Sequence, residues 1–364
     1  MDSSEVQASR SPANGSQSNS VSSLKKFVGW MLRFASRCGV LALLAILIAC
    51  FLAPYNYQCD LMSNFRAQYL GLGIGFGLMA VGLQQWQRSV FILFLTLPHA
   101  LQVLPYYWPP NGLTTRLESR DVTLEDSASR EPRLLRLVSF NVLYLNQDRA
   151  DSIRFLRDSD ADLIVLCECT DGWYEAVQQG LADTHPSDST QLFPMWNGTR
   201  IFSRMPLRAA TDLPHFREIH DSEKLLAVTT RWNDETIMVM GVHPASPMNA
   251  QRFIARNEML SLIERVGTQI REPLIIAGDF NCTSGSPYFL QAAGLKDSRR
   301  GFGWQGSWPT FAPKILRIPI DHVFVNKHWE VRHREIGPTL GSDHSPVITE
   351  LRLLRDAATT TTSP

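Results

Sequence analysis

The sequence has no cysteine pair of the Cys-x-x-Cys type and no excess of charge of either sign. Its 6 cysteines are scattered over 364 residues, so the ligand spacing of a structural zinc site is absent. Lysine plus arginine and aspartate plus glutamate each total 35, which gives no electrostatic case for tight nucleic-acid binding. A formal net charge of zero is still compatible with a local basic groove.

Large apolar side chains are almost missing from residues 1–23, which are rich in Ser, Asn, Gln and Ala. Such a segment cannot bury enough surface to offset its ordering entropy, so we expect a disordered tail. It is also too polar for a standard cleaved signal peptide. A second disordered tail is expected at residues 354–364.

Three long stretches without charge follow the N-terminal tail, at residues 38–58, 67–87 and 89–115. Each has about the length of roughly 20 residues that a membrane-spanning helix requires. We therefore predict a membrane domain of three transmembrane helices at residues 24–108. The alternative is buried helices of a soluble domain, in which three successive runs of this kind are rare.

The basic residues indicate an orientation in the membrane. Four of them precede the first stretch, within residues 25–37, and the positive-inside rule then places the N-terminus in the cytoplasm. Three crossings would put the rest of the chain on the extracytoplasmic side. Arg66, Arg116 and Arg120 argue against this, because they would then also lie outside.

Residues 109–133 have the composition of a linker, and residues 134–353 alternate between short apolar runs and amphipathic segments. This alternation predicts a mixed α/β (α+β) domain. Asn233-Asp234 between two of the runs is typical of a hairpin turn. Strands are predicted at residues 134–142, 162–169, 225–232, 236–242, 273–279, 320–325 and 347–353, and helices at residues 150–157 and 249–266.

Several of these strands begin or end at a carboxylate, an amide or an imidazole. Each such residue alone has an ordinary explanation, since an aspartate before a turn usually forms that turn and a lone histidine is usually solvated. Their coincidence at several strand ends indicates one polar rim. The residues are Asn141, Glu168, His243, Asp279, Asn281, Asp321, Asp343 and His344.

This set suits the hydrolysis of a phosphate ester. A hard divalent cation held by carboxylates offsets the charge of the phosphate, while a positioned acid or base moves protons. Glu168 and Asp343 are oxygen ligands suited to Mg²⁺ or Mn²⁺. His344 suits phosphate contact or proton transfer, and Asp279 suits orientation or deprotonation of the attacking water.

Three further side chains complete this chemistry. The amides of Asn141 and Asn281 can donate hydrogen bonds to phosphate oxygens. His243 follows a predicted strand and can serve as a second acid or phosphate donor.

The ordered motifs SFN, CE, FSRMP, GVHP, GDFN, IDHVF and SDHSP, spread over residues 134–353, resemble the endonuclease/exonuclease/phosphatase superfamily. That family includes pancreatic-type deoxyribonucleases, neutral sphingomyelinases and inositol polyphosphate 5-phosphatases. The resemblance implies a four-layer sandwich of two packed mixed β-sheets flanked by helices, here preceded by the three transmembrane helices. It also implies a divalent metal, Mg²⁺ or Mn²⁺, as cofactor.

Roles for individual residues also follow from the resemblance. Glu168 matches the principal metal ligand, and Asn141 and Asp343 match further residues of the metal site. The residues that match catalytic positions are His344, its orienting partner Asp321, Asp279, Asn281 and His243. Loop 301–314 resembles a substrate-contacting loop, and its Trp304, Trp308 and Phe311 are predicted to be exposed or half-exposed for stacking on a base or entering lipid, unless they only pack within the loop.

We therefore predict a membrane-anchored, divalent-metal-dependent hydrolase of phosphodiester or phosphomonoester bonds. The alternative is a catalytically inactive, membrane-tethered protein that binds phosphate or lipid on the same fold. The predicted partners are a phosphate ester substrate, either a lipid head group or a nucleic acid, and the lipid bilayer. No obligate protein partner is evident from the sequence.

Overall fold

The computed structural model describes residues 15–108, 133–193, 198–211, 225–290 and 294–354. The chain divides into two compact units, Met1–Ile48 with Tyr69–Pro98 and Ala49–Gln68 with His99–Pro364. Its helices are α1 (Gly15–Leu52), α2 (Tyr57–Ser63), α3 (Arg66–Gly82), α4 (Trp86–Val103), α5 (Arg149–Asp158), α6 (Asp171–Leu181) and α7 (Ala250–Gln269). Its strands are β1 (Leu135–Asn141), β2 (Leu163–Cys167), β3 (Ser187–Asp188), β4 (Arg200–Ser203), β5 (Arg208–Ala209), β6 (Leu225–Trp232), β7 (Glu235–Val242), β8 (Leu274–Asp279), β9 (Lys296–Asp297), β10 (Asp321–Val325), β11 (Trp329–Ile336) and β12 (Val347–Leu353).

The first unit consists of apolar helices. Leu43 of α1, Ala80 of α3, and Ile92 and Leu95 of α4 form its buried cluster. Other large apolar side chains of the same helices point outward, among them Leu78, which is 68% exposed.

Two of the three predicted transmembrane helices are long and apolar enough to cross a membrane, Ser23–Leu52 and Trp86–Tyr106. The prediction of three was wrong, because the stretch at 67–87 forms only the 17-residue helix α3. At about 1.5 Å per residue this helix is roughly 25 Å long, short of the roughly 30 Å of a hydrocarbon core. The left-handed conformation of Gln84, with φ of 57°, lies in the break that follows it.

The predicted N-terminal tail is partly helical, since α1 already begins at Gly15. A helix extends by one residue at little cost once it has formed, which explains why polar residues can continue it. Residues 1–14, most of the predicted linker (109–132) and residues 355–364 lie outside the described residues.

The second unit contains two six-stranded sheets. The first has the strand order β11-β12-β1-β2-β4-β3, and the second has the order β5-β6-β7-β8-β10-β9. Both are mixed, because β1 and β2 pair in parallel in the first sheet, β7 and β8 do so in the second, and the other pairings are antiparallel. The hairpin predicted at Asn233-Asp234 joins β6 to β7, with φ of 49° and 68° at its two turn residues.

The two sheets pack face to face, and helices cover their outer faces. Leu137 and Val165 of the first sheet share a buried cluster with Val239 and Ile275 of the second. Alternate residues point to the opposite faces, as the pleat requires. On its outer face, the first sheet packs against Leu156 of α5 and Trp173 of α6. The outer face of the second sheet packs against Ile263 of α7. This confirms the expected sandwich of two mixed sheets with flanking helices.

Candidate active site

The topology gathers the polar strand ends at one edge of the sandwich. Because β1 and β2 are parallel, Asn141 at the end of β1 lies beside Glu168, which follows β2. The same holds in the second sheet, where His243 follows β7 and Asp279 ends the parallel strand β8.

Two antiparallel strands bring the remaining site residues to the same edge. Strand β10 begins at Asp321, which is paired directly with Asp279 of β8. Strand β12 runs antiparallel to β1, so Asp343 and His344, just before β12, reach the end of β1. The site is therefore built from residues on both sheets.

Asn141 connects the two sheets through its side-chain amide. Its Nδ2 donates to Glu168 Oε1 at 3.1 Å and to Asp279 Oδ2 at 3.0 Å. Its Oδ1 accepts from the backbone N–H of Leu143 at 3.1 Å, which orients the amide. The backbone N–H of Tyr144 donates to the other oxygen of Glu168 at 3.1 Å. These contacts hold two carboxylates of different sheets next to one amide.

Three residues of this rim have a left-handed backbone. The φ angles are 58° at Leu143, 58° at Glu168 and 50° at Asn281. Residues other than glycine rarely adopt this conformation, and those that do concentrate at functional sites. Here the conformation turns the chain sharply where β1, β2 and β8 end.

His344 and Asp321 form a buried pair. His344 Nδ1 lies 2.8 Å from Asp321 Oδ2, and Ser307 Oγ donates to the same oxygen at 2.6 Å. The other ring nitrogen, Nε2, lies 3.7 Å from Asp279 Oδ2. Burial alone would lower the pKa of His344, but the carboxylates of Asp321 and Asp279 raise it to about 10. The ring is therefore a cation at neutral pH, with a proton on each nitrogen.

The two aspartates of the second sheet differ in their pKa. Burial raises the pKa of Asp279, and the neighbouring Asp321 carboxylate raises it further against the opposing effect of His344. Burial acts in the same direction on Asp321, but the charge of His344 and the hydrogen bonds from His344 and Ser307 outweigh it and lower the pKa. Asp321 is thus the fixed anion, and Asp279 accepts a proton more readily.

Carboxylate and amide oxygens at this rim fit a hard divalent cation. The Glu168 side chain is 24% exposed, so its carboxylate is accessible from solvent. Asp343 Oδ2 accepts from Trp308 Nε1 at 3.0 Å, and Asp343 Oδ1 is buried without a hydrogen-bond partner in the described part of the chain. Asp343 Oδ1 also lies 3.9 Å from His344 Nε2, which places this carboxylate beside the buried pair.

A second group of possible ligands consists of Asp279, Asp321 and His344, whose ligand atoms all lie within 4.8 Å of one another. All three are buried, and His344 already uses Nδ1 to bind Asp321. Glu168, in contrast, offers a carboxylate that is accessible from solvent, which suits a cation that keeps several water ligands. The donor set therefore fits a cation beside Glu168 better than one inside the buried triad.

The last two predicted site residues lie beside Asp279. His243 Nε2 is 3.6 Å from Asp279 Oδ2 and 3.9 Å from Glu168 Oε1. Asn281 donates its backbone N–H to Asp279 Oδ1 at 2.8 Å, while its side-chain Nδ2 donates to the carbonyl of Pro244 at 3.0 Å.

The sequence patterns missed some polar groups of the site. Ser342 Oγ donates to the carbonyl of Asn141 at 2.7 Å and accepts from the backbone N–H of His344 at 3.0 Å. Its place two residues before His344 in the SDHSP motif was the available signal. Ser307 lies in the loop that was considered for its aromatic residues only.

The aromatic residues of loop 301–314 differ in exposure. Phe311 is 84% exposed and Trp308 is half-buried, in agreement with the prediction. Trp304 is only 7% exposed and donates its Nε1 hydrogen to the carbonyl of Arg317 at 3.1 Å. The prediction was wrong for Trp304, because an indole with a buried acceptor gains both packing and a hydrogen bond.

A two-sheet sandwich with carboxylates, amides and imidazoles of both sheets at one edge has the donor set of a metal-dependent phosphoric ester hydrolase. The match to known families agrees with this class. The chain belongs to the endonuclease/exonuclease/phosphatase family, whose model matches residues 138–344. Members of this family are generally metal-dependent phosphoric ester hydrolases.

Similar solved structures come from several organisms. An endonuclease/exonuclease/phosphatase from Beutenbergia cavernae is 20% identical, with a TM-score of 0.46 over 61% of this chain and 72% of that one. TDP2 of D. rerio in complex with a single-strand DNA product is 17% identical, with a TM-score of 0.46 over 60% and 99%. Beta toxin from Staphylococcus aureus is 18% identical, with a TM-score of 0.42 over 59% and 99%. No curated protein matches the chain.

Proposed function

We propose that the protein is a membrane-anchored hydrolase of phosphodiester or phosphomonoester bonds that depends on a divalent metal. The observation that supports this most directly is the bridge formed by Asn141 between Glu168 and Asp279, beside the buried pair of His344 and Asp321. Family membership agrees with the reaction class but leaves the substrate open.

The geometry supports a division of tasks among the protein side chains. Asp279 accepts the proton of the attacking water, because burial and Asp321 make its carboxylate more basic than usual. The His344 cation, held in orientation by Asp321, donates a hydrogen bond from Nε2 to a phosphate oxygen. Asn141 holds the side chains of Glu168 and Asp279, which belong to different sheets, next to each other.

We further propose that Glu168, Asn141 and Asp343 hold Mg²⁺ or Mn²⁺. A divalent cation held by these residues would supply positive charge against the phosphate. Asp343 would use Oδ1 for this purpose, since Oδ2 already accepts from Trp308. His243 lies within 4 Å of Glu168 and Asp279, and we assign it a second contact to the phosphate.

The membrane part of the proposal depends on the two long apolar helices, Ser23–Leu52 and Trp86–Tyr106. Outward-facing leucines such as Leu41 and Leu93, 67% and 68% exposed, favour a lipid environment for them. The extracytoplasmic location of the catalytic domain was predicted from three crossings, whereas two crossings would return the chain to the side of the N-terminus.

We propose a phospholipid head group as substrate. An anchored enzyme meets such a substrate at high effective concentration, and a neutral net charge disfavours long polyanions, whose binding depends on Lys and Arg contacts. The alternative substrate is a nucleic acid, and assays of both substrate classes distinguish the two.

The test uses the full chain purified in detergent. Sphingomyelin, phosphatidylinositol phosphates, inositol phosphates and plasmid DNA are each assayed with Mg²⁺, with Mn²⁺ and with EDTA. We expect turnover of a lipid substrate that requires metal. Turnover of plasmid DNA alone would contradict the lipid assignment while leaving the hydrolase proposal intact.

Two variants connect this activity to the site. We expect Glu168→Gln and His344→Ala each to lower kcat by roughly 100-fold or more, because the first removes a carboxylate proposed to hold the cation and the second removes the imidazolium proposed to contact the phosphate. The matched control is Glu235→Gln, since Glu235 is exposed at the far end of β7 from His243. Metal or phosphate binding without turnover of any substrate would instead support the inactive binding protein.

A further inference from the structure

The connection between α1 and α3 is packed within the second unit, together with the catalytic domain. We call residues 54–66 the docking segment; its centre is the short helix α2. Asn56 caps this helix, since its Oδ1 accepts from the backbone N–H groups of Gln58 and Cys59 at 2.8 and 3.2 Å. On the same helix Asp60 is completely buried, although a carboxylate is rarely buried without a partner.

The partner of Asp60 is Arg256 of helix α7. Arg256 Nη1 lies 2.7 Å from Asp60 Oδ2, and both side chains are 0% exposed. Ser286 Oγ donates to the other oxygen, Oδ1, at 2.6 Å. In the part of the chain that the structure describes, Arg256 has no other carboxylate partner: its remaining acceptors are Asn257 Oδ1 and the carbonyl of Asn281. A buried cation needs this one counter-charge.

The docking segment also contacts the backbone of loop 280–286. Asn64 Oδ1 accepts from the N–H of Thr283 at 2.7 Å, and the Asn64 carbonyl accepts from Thr283 Oγ1 at 3.3 Å. A Cβ atom added to Gly285 would lie 2.0 Å from the carbonyl oxygen of Ser63, so only glycine allows this approach. The loop is therefore held at several points along its length.

This loop leaves strand β8 directly after Asp279. The backbone N–H of Asn281 donates to Asp279 Oδ1 at 2.8 Å, and the carbonyl of Asn281 accepts from Arg256 Nη1 at 3.3 Å. One guanidinium group thus joins the Asp60 carboxylate to the residue that orients Asp279. Asn281 has a φ of 50°, a conformation that surrounding contacts must maintain.

We propose that Asp60 is a positioning residue for the hydrolysis, acting through Arg256 on loop 280–286. This inference rests on the function proposed above. It makes the geometry of Asp279 and Asn281 depend on a segment far outside residues 138–344, the region that matches the family. A fragment that begins at residue 134 would lack the docking segment and leave Arg256 without its carboxylate partner.

The test is Asp60→Asn in the full chain. Asparagine keeps an acceptor for Ser286 but removes the charge that faces Arg256. We expect kcat for a soluble phosphodiester to fall on the order of 10–100-fold while KM stays within about twofold, because small misplacements of catalytic groups have effects of this size. Amide hydrogen exchange over residues 280–286 should rise, whereas exchange over β1 should not. The control is Asp151→Asn, which removes an exposed ion pair with Arg154.

A double variant separates positioning from folding stability. Asp60→Asn with Arg256→Gln removes the unpaired charge, so Tm should recover toward that of the native chain. We expect kcat to stay low, because the shorter glutamine side chain does not reach both the substituted side chain at position 60 and the Asn281 carbonyl. The proposal is overturned if kcat recovers fully in the double variant, or if Asp60→Asn leaves exchange over residues 280–286 no higher than over β1.

These readouts also separate this proposal from the proposed function. If the native chain hydrolyses none of the substrates, the proposed function fails, and hydrogen exchange alone then decides whether Asp60 holds the loop. If the native chain is active and Asp60→Asn keeps full kcat, the positioning role fails while the hydrolase proposal stands.

Discussion

Gly278 offers a sharp test of the packing behind Asp279, the proposed proton acceptor. It precedes Asp279 on β8, where it pairs with Val242 of the parallel strand β7. A Cβ atom at this position would lie 1.9 Å from the carbonyl oxygen of Val242 and 3.0 Å from its carbonyl carbon, and the φ of 148° is unfavourable for any other residue. Both strands have neighbours on either side, β6 and β10, so neither can move away freely.

We therefore expect Gly278→Ala to be strongly destabilising. Overpacking typically costs roughly 1–3 kcal/mol, and a strained backbone conformation costs roughly 1–3 kcal/mol more. The sum of about 2–6 kcal/mol is a large part of a typical free energy of unfolding of about 5–15 kcal/mol. Activity should fall as well, because relief of the clash displaces Asp279.

The measurement is urea unfolding of the full chain, followed by tryptophan fluorescence. Gly294→Ala is the matched control, because Gly294 has a φ of 105° but no described atom within 4 Å of the added Cβ. The Gly294→Ala variant has the backbone strain without the clash, so its free energy of unfolding should fall by roughly 1–3 kcal/mol only. If Gly278→Ala and Gly294→Ala lower the free energy of unfolding equally, the steric explanation is wrong.

Two further predictions concern pH and the membrane. Without metal, the free energy of unfolding should fall as pH rises from about 6.5 toward 10, because the pKa of His344 is about 10 in the folded state and near 6.5 in the unfolded chain. The stabilisation from the charged His344 is fully present below the pKa of the unfolded state and is lost above the pKa of the folded state. Chemical unfolding of the native chain and of His344→Gln at several pH values checks this, and equal pH slopes would contradict it. The full chain should stay with the membrane pellet after an alkaline carbonate wash, because helices Ser23–Leu52 and Trp86–Tyr106 are long and apolar enough to span a bilayer; release into the supernatant would exclude the anchor.

The strongly apolar strands could be predicted closely from the sequence. The bounds of β6 and β12 agree with the predicted ones, and β8 differs by one residue. These strands are almost entirely buried, so their composition reflects their environment directly. Strand β11 was missed, because it lies at a sheet edge and carries polar, half-exposed residues.

Helix α6 was missed for a different reason. Its buried residues, Trp173, Val177 and Leu181, recur at a spacing of four, which is a helical pattern. This signal was present, but the segment lacks the long apolar run that marks the neighbouring strand β2.

The chemical character of the site is determined by the sequence alone, since carboxylates, amides and imidazoles at the ends of apolar runs already indicate phosphate ester chemistry. Only the tertiary structure decided how these groups meet. Asn141 donates to Asp279 across 138 residues of sequence, and Ser286 donates to Asp60 across 226. Such partners cannot be read from local patterns, because their contact depends on strand order and on the packing of two sheets. The same holds for the buried carboxylate of Asp60: its charge is plain in the sequence, but its burial and its link through Arg256 to loop 280–286 exist only in the folded chain.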